Sequence, residues 1–157
     1  MSINKLLVLG FFFLSSIGQS HAEEKKAVFD LTSGDAEKIE SRLLNGIKYI
    51  SNFYKKQGDE LTAVVVISGK SYKYFIEDLK SSPYKDEKDL ADVQKKLRPL
   101  IMELNDAYGV RFEMCGAGMK MRGIKAESLY SVVHFDKAKP IYLIDRQNKG
   151  YAYMPVH

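Results

Sequence analysis

The chain contains one cysteine, and its neighbours give it a setting for chemistry. Cys115 follows an alternating run, Val110 to Met114 (VRFEM), and opens the turn Cys115-Gly116-Ala117-Gly118, with Met119 to Arg122 reading as the start of a short helix. A thiolate is the nucleophilic form of cysteine, and helix-opening N–H groups together with nearby cations favour it. Lys120 and Arg122 are the cations at hand, while Gly116 and Gly118 would let a partner's sulfur or backbone approach closely. Such a thiolate attacks disulfides or accepts a sulfur atom. The competing assignment makes Cys115 a small buried hydrophobe, a frequent fate of free cysteine. Spacing alone does not separate the two, because a lone cysteine carries no motif.

Other chemistries have less to draw on. Past the first twenty-two residues only His134 and His157 remain, too few and too scattered with one cysteine for a zinc site. His134 sits in an apolar run, Val132 to Phe135, and reads as a core histidine. The loop glycines match neither GxGxxG nor a phosphate-cradling lysine loop, and no G-x-S-x-G elbow is present, so no cofactor is expected. Met114, Met119 and Met121 flank the cysteine and are assigned to packing rather than soft-metal binding. Lys and Arg number 24 against 20 Asp and Glu, for a formal charge of +4, and the two signs alternate along the helical segments. That pattern is a solvated surface, not a phosphate-tracking stripe, and nucleic acid is not an expected partner.

The elements that must position Cys115 begin after an export signal. Lys5 is a positive n-region, Leu6 to Ile17 an apolar run, and Ser20-His21-Ala22 a small-x-small cleavage site. The apolar run falls short of the about 20 residues that span a bilayer. Cleavage after Ala22 and a periplasmic address are therefore expected, leaving one domain, Glu23 to His157. Ala27 to Leu31 reads as a strand, ended by Thr32-Ser33-Gly34-Asp35, with Asp35 as N-cap of an amphipathic helix, Ala36 to Lys56. Leu61 to Ile67 is a β-branched run suited to a strand covered on both faces, broken by Ser68-Gly69-Lys70. Ser71 to Leu79 reads as a short helix, Ser81 to Lys88 as an exposed loop, and Leu90 to Tyr108 as a helix that Pro99 kinks or restarts. A short helix over Lys125 to Tyr130, a strand over Val132 to Phe135, a helix over Ile141 to Gln147 and a strand over Tyr151 to Met154 complete the chain.

Strands alternating with helices imply βαβ units, hence an α/β domain with a mostly parallel sheet of about five strands between helices. Sites in such sheets gather at the carboxyl ends of the strands. Three loops qualify: Ser33-Gly34-Asp35, Ser68-Gly69-Lys70 and Cys115 to Gly118.

Read together, these loops resemble the DsrE/DsrF-like family, in particular its exported single-domain branch. The resemblance runs from about Ala27 to Met154. It rests on Leu31-Thr32-Ser33-Gly34-Asp35, on Gly109 to Gly116 with Met119-Lys120 and Arg122-Gly123-Ile124, and on Gly150-Tyr151-Ala152-Tyr153. It implies a three-layer α/β/α domain, assembly as a homotrimer or hexamer, and a persulfide-carrying cysteine at Cys115. Two departures stand out. The turn after the cysteine is Ala117-Gly118, without the polar side chains of exported relatives, and sulfur-relay members work in the cytoplasm beside dedicated partners.

The expected function is periplasmic sulfur handling by Cys115, as a persulfide carrier or a sulfurtransferase-like relay with a donor or acceptor protein. Gly34, Asp35, Gly69, Gly116, Gly118, Lys120 and Arg122 are the expected binding residues. The alternative is a non-catalytic oligomeric module that binds a small ligand or protein while Cys115 is structural. A third reading, mixed disulfides with exported partners, needs a second protein, since this chain has no resolving cysteine.

Overall fold

The computed structural model describes residues 23–157, and the expected leader, residues 1–22, lies outside the described residues. Strands β1 (Glu24–Leu31), β2 (Glu60–Ile67), β3 (Arg111–Met114), β4 (Val133–His134) and β5 (Ala152–Val156) form one sheet in the order β4-β3-β2-β1-β5. Every pair is parallel, so the expectation of a mostly parallel sheet is met in full. Helix α1 (Ala36–Lys38), a π-helical turn (Ile39–Leu44) and α2 (Asn45–Lys56) run on without a break. Beyond them come α3 (Leu90–Tyr108), α4 (Gly116–Met121) and α5 (Lys139–Asn148).

Alternation along each strand divides the sheet into two faces. Phe29, Leu31, Val65, Ile67, Phe112 and Met114 point into one large apolar cluster, closed by Ile39, Leu43, Ile47, Leu97, Ile101 and Leu104 of the α1–α3 layer. Val28, Val64 and Val66 point the other way, into a small cluster closed by Tyr142 of α5, with Leu143 and Tyr151 packed against it. Asp35 caps the first helix as expected, accepting from the Lys38 N–H at 3.1 Å.

Four local expectations are corrected. Ser71 to Leu79 is not one helix: 3-10 turns at Tyr72–Phe75 and Leu79–Ser81 flank an extended Ile76, which bridges to Leu129. That pairing also shortens the expected helix at 125–130 to a 3-10 turn, Ala126–Ser128, because the Tyr130 N–H is committed to the Phe75 carbonyl at 3.1 Å. Here a tertiary bridge overrides helical periodicity. Pro99 does not start a new helix: α3 runs through it, because it lies on the exposed side, where water can serve the Lys95 carbonyl that loses its donor. His134 is exposed rather than in the core, because β4 is an edge strand of two residues and its α5-side face is uncovered there.

Candidate functional site

Cys115 leaves β3 at the carboxyl edge of the sheet, and its own N–H donates to the Ile67 carbonyl at 2.9 Å, extending the ladder by one residue. It is the N-cap of α4, and its sulfur accepts from the Gly118 N–H at 3.5 Å. The two layers of the domain meet at this residue. From one side comes Tyr72, whose hydroxyl donates to the Cys115 carbonyl at 3.0 Å. From the other comes the lead-in to α5, where the Gly116 N–H donates to the Lys137 carbonyl at 2.9 Å.

The electrostatics follow from these neighbours. Burial pushes the Cys115 thiol up, but the N–H groups of Gly118 and Lys139, the Tyr72 hydroxyl and the Ala117 N–H together outweigh it and hold the thiol below its ordinary value. Tyr72 moves the opposite way: its burial, then its hydrogen bond to Cys115, raise its hydroxyl pKa, so it stays a donor at any physiological pH. The sulfur's surroundings are tight, with Cys115 only 9% exposed.

The glycines of the turn serve that tightness. A Cβ at Gly116 would collide with the Phe135 carbonyl oxygen, and one at Gly118 with the Tyr72 hydroxyl. The space beside both is filled by the protein itself rather than left open for a partner. The Gly116 N–H is also committed to Lys137, leaving the Ala117 and Gly118 N–H groups for an anion at sulfur. Lys120 is exposed on α4. Arg122 lays its guanidinium over the Tyr72 ring, 4.8 Å from the centroid, and donates to the Gly118 carbonyl at 3.3 Å. After burial, the leading influences on the thiol are thus backbone amides, not the two cations that the sequence offers.

The other expected binding residues gather elsewhere along the same edge. Gly34, Asp35, Gly69 and Arg122 line an open cleft of about 950 Å³ over the ends of β1 and β2, together with Lys70, Lys73, Tyr84, Glu87 and His157. Lys73 pairs with Glu87 at 2.7 Å, leaving Lys70 and Arg122 as the lining lysine and arginine without an ion pair among the described residues. Gly69 has a positive φ of 67° and packs on the Thr32 carbonyl, which is what brings the first two loops together. Gly116, Gly118, Lys120 and Cys115 do not line this cleft. Arg122 joins the two places, with one end in the cleft and its plane on Tyr72.

Sequence reading missed Tyr72, Asp30 and Lys139. Asp30 is 2% exposed, its Oδ1 lies 2.8 Å from Lys139 Nζ, and its Oδ2 accepts from the Tyr153 hydroxyl at 2.8 Å. A usable signal existed: a carboxylate in the apolar strand AVFDL, on the same side as Val28, must find a partner when that face is covered. Glu113 carries the same signal in VRFEM; it is 1% exposed and paired with Arg146 of α5 and with Arg111 at 2.8 Å.

Comparisons with known proteins agree with this architecture. The chain is 31% identical over 137 residues to an uncharacterized protein of Aquifex aeolicus (strain VF5); the match covers 85% of this chain but 57% of that relative, which is therefore considerably longer. In three dimensions it is similar to MTH1491 from Methanobacterium thermoautotrophicum, a protein of unknown function, with a TM-score of 0.59 and 20% identity, covering 83% of this chain and 98% of that one. The model of the DsrE/DsrF-like family matches residues 25–156, nearly all that the structure describes. The parallel sheet, the cysteine at its carboxyl edge and this match together make the chain a member of the DsrE/DsrF-like family.

Proposed function

We propose that this protein is a sulfur carrier in which Cys115 receives a sulfane sulfur from a persulfide donor and passes it to an acceptor thiol. The observation that carries the reading is the placement of the one sulfur: Cys115 caps α4 at the carboxyl edge of the sheet, its Sγ accepts from the Gly118 N–H at 3.5 Å, and backbone N–H groups there favour the thiolate despite burial. Association of the family with sulfur relay supports it. In the first step the Cys115 thiolate attacks the outer sulfur of the donor persulfide. A new S–S bond forms at Cys115, the donor's S–S bond breaks, and its electron pair leaves on the donor thiolate. In the second step an acceptor thiolate attacks the outer sulfur now on Cys115, and the Cys115 thiolate leaves. No net oxidation occurs, so the cycle needs only a donor and an acceptor. We place this chemistry outside the cytoplasm on the strength of the leader at residues 1–22; an N-terminus found at Glu23 in a periplasmic fraction supports that, and retention in the cytoplasm refutes it.

The test is intact-mass measurement after incubation with glutathione persulfide. One sulfur atom is gained by the native chain and none by Cys115→Ser. Free alkylation of Cys115 with no sulfur gained overturns the carrier.

A second reading has a specific observation behind it: the cleft over β1 and β2 is built without Cys115. In this reading the domain binds a small anionic ligand there, Cys115→Ala leaves binding intact, and Lys70→Ala weakens it. We further propose that the working form is a homo-oligomer. Tyr49 and Phe53 of α2 and Tyr153 and Met154 of β5 are exposed around the outer edge of β5, a strand edge that is unpaired among the described residues and needs covering. Light scattering of the native chain and of Phe53→Glu decides it: assembly is supported by a mass above the monomer that the substitution lowers, and refuted by a monomer in both.

A further inference from the structure

α5 is fastened at its start from two directions. On one side Lys139, its first residue, reaches β1 through the ion pair with Asp30. On the other, the residues leading into it are stitched to the cysteine's turn: Gly116 N–H donates to the Lys137 carbonyl, the Lys137 N–H donates to the Tyr142 hydroxyl at 3.1 Å, and that hydroxyl donates to Asp136 at 2.6 Å. The Asp30 side is the unusual one. Oδ1 is buried and faces the ammonium without an aligned hydrogen bond, so the contact is an ion pair with a soft direction. With the Lys139 side chain 27% and that of Asp30 3% exposed, the pair contributes little net stability, because desolvation of the carboxylate cancels most of the attraction. What it does supply is a fixed location for the first turn of the helix. That location sets the lead-in to α5 against the cysteine's turn, where the Phe135 and Lys137 carbonyls crowd Gly116 and the Lys137 carbonyl holds its N–H.

We propose that Asp30 and Lys139 are positioning residues for Cys115: their ion pair holds the first turn of α5 against the β3–α4 junction, so that the Lys137 carbonyl stays on the Gly116 N–H and fixes the turn that carries the sulfur. The inference rests on the carrier reading for its purpose, but not for its test. Other charged or titratable groups on the segments around the cysteine's turn are Tyr72 from the 3-10 turn, Lys120 of α4, Arg122 just past it, and Asp136 and Lys137 from the lead-in to α5. None of these pairs with Asp30.

The experiment is the pH profile of iodoacetamide alkylation of Cys115 in the native chain and in Asp30→Asn, Lys139→Arg, Asp30→Asn/Lys139→Met and Asp145→Asn. Two mechanisms predict opposite signs. If Asp30 acts only as a nearby anion, neutralising it lowers the thiol pKa and quickens alkylation. If it positions α5, neutralising it raises the thiol pKa and slows alkylation at neutral pH by about three- to tenfold. The double variant, which leaves no unpaired charge and so guards against simple misfolding, shows the same slowing; Lys139→Arg keeps the native profile. Asp145→Asn, which breaks only the exposed pair with Lys137, leaves the profile in place. An unchanged or faster profile in Asp30→Asn and in the double variant overturns the positioning role. Loss of the carrier reading would look different: no sulfur gained by the native chain, whatever its alkylation profile.

Discussion

On the face covered by α2 and α3, Phe29, Val65, Ile67, Phe112 and Met114 lie in one continuous apolar cluster, whereas on the α5 face Asp30 and Glu113 lie as deep as the valines beside them. The first face obtains its stability by removing apolar area from water, a force without direction. The second has Val28, Val64, Val66 and Tyr142, with Leu143 and Tyr151 partly buried against them, to do this, and fixes α5 with a cation at each end, Lys139 on Asp30 and Arg146 on Glu113. The difference teaches where precision is needed. Burial decides that a helix covers the sheet, while paired charges decide where along the sheet it stops, and α5 must stop with its N-terminus beside Cys115.

The comparison can be broken most severely at the apolar face. Phe112 is fully buried, with its ring centroid 5.7 Å from that of Phe75. Phe112→Ala is expected to cost about 3–5 kcal/mol in urea unfolding, the usual range for a large aromatic truncated in a core. A loss under about 1 kcal/mol would mean that this face is not the main source of stability.

Next comes the far end of α5. Arg146→Met leaves Glu113 buried with only Arg111, and a loss near the low end for a broken buried pair is expected, about 3 kcal/mol by urea unfolding. Glu113→Gln/Arg146→Met is expected to recover most of it, because the uncompensated charge is gone. Failure of the double variant to recover would show that Arg146 acts through packing, for instance on the Tyr151 ring 5.5 Å away, rather than through charge.

The smallest effect lies at the cysteine. Its folded-state pKa is held below the ordinary thiol value, so the thiolate binds the fold better than the thiol does. The resulting stability is fully present above the unfolded pKa and is lost as pH falls through the folded one. The gap in unfolding free energy between the native chain and Cys115→Ser should therefore widen as pH rises into the alkaline range and flatten below the folded pKa. A gap that does not vary with pH would remove the thiolate from the fold's energetics.

The amino-acid sequence by itself determined the alternation of strand and helix, the three loops at the carboxyl edge and the one nucleophile, because those signals are local: a period of two or of 3.6, a turn former, a residue type. It also carried the unexplained acids in AVFDL and VRFEM. Only the tertiary structure decided which residues surround the sulfur. Tyr72 stands 43 positions from Cys115, and Tyr153 stands 123 from the Asp30 it holds, yet parallel pairing brings the ends of β1, β2, β3 and β5 to one edge. The same assembly filled the space beside Gly116 and Gly118 and drew the expected glycine and arginine ligands into a separate cleft. Local patterns encode what each segment becomes; contacts between distant segments exist only once the sheet has set its register.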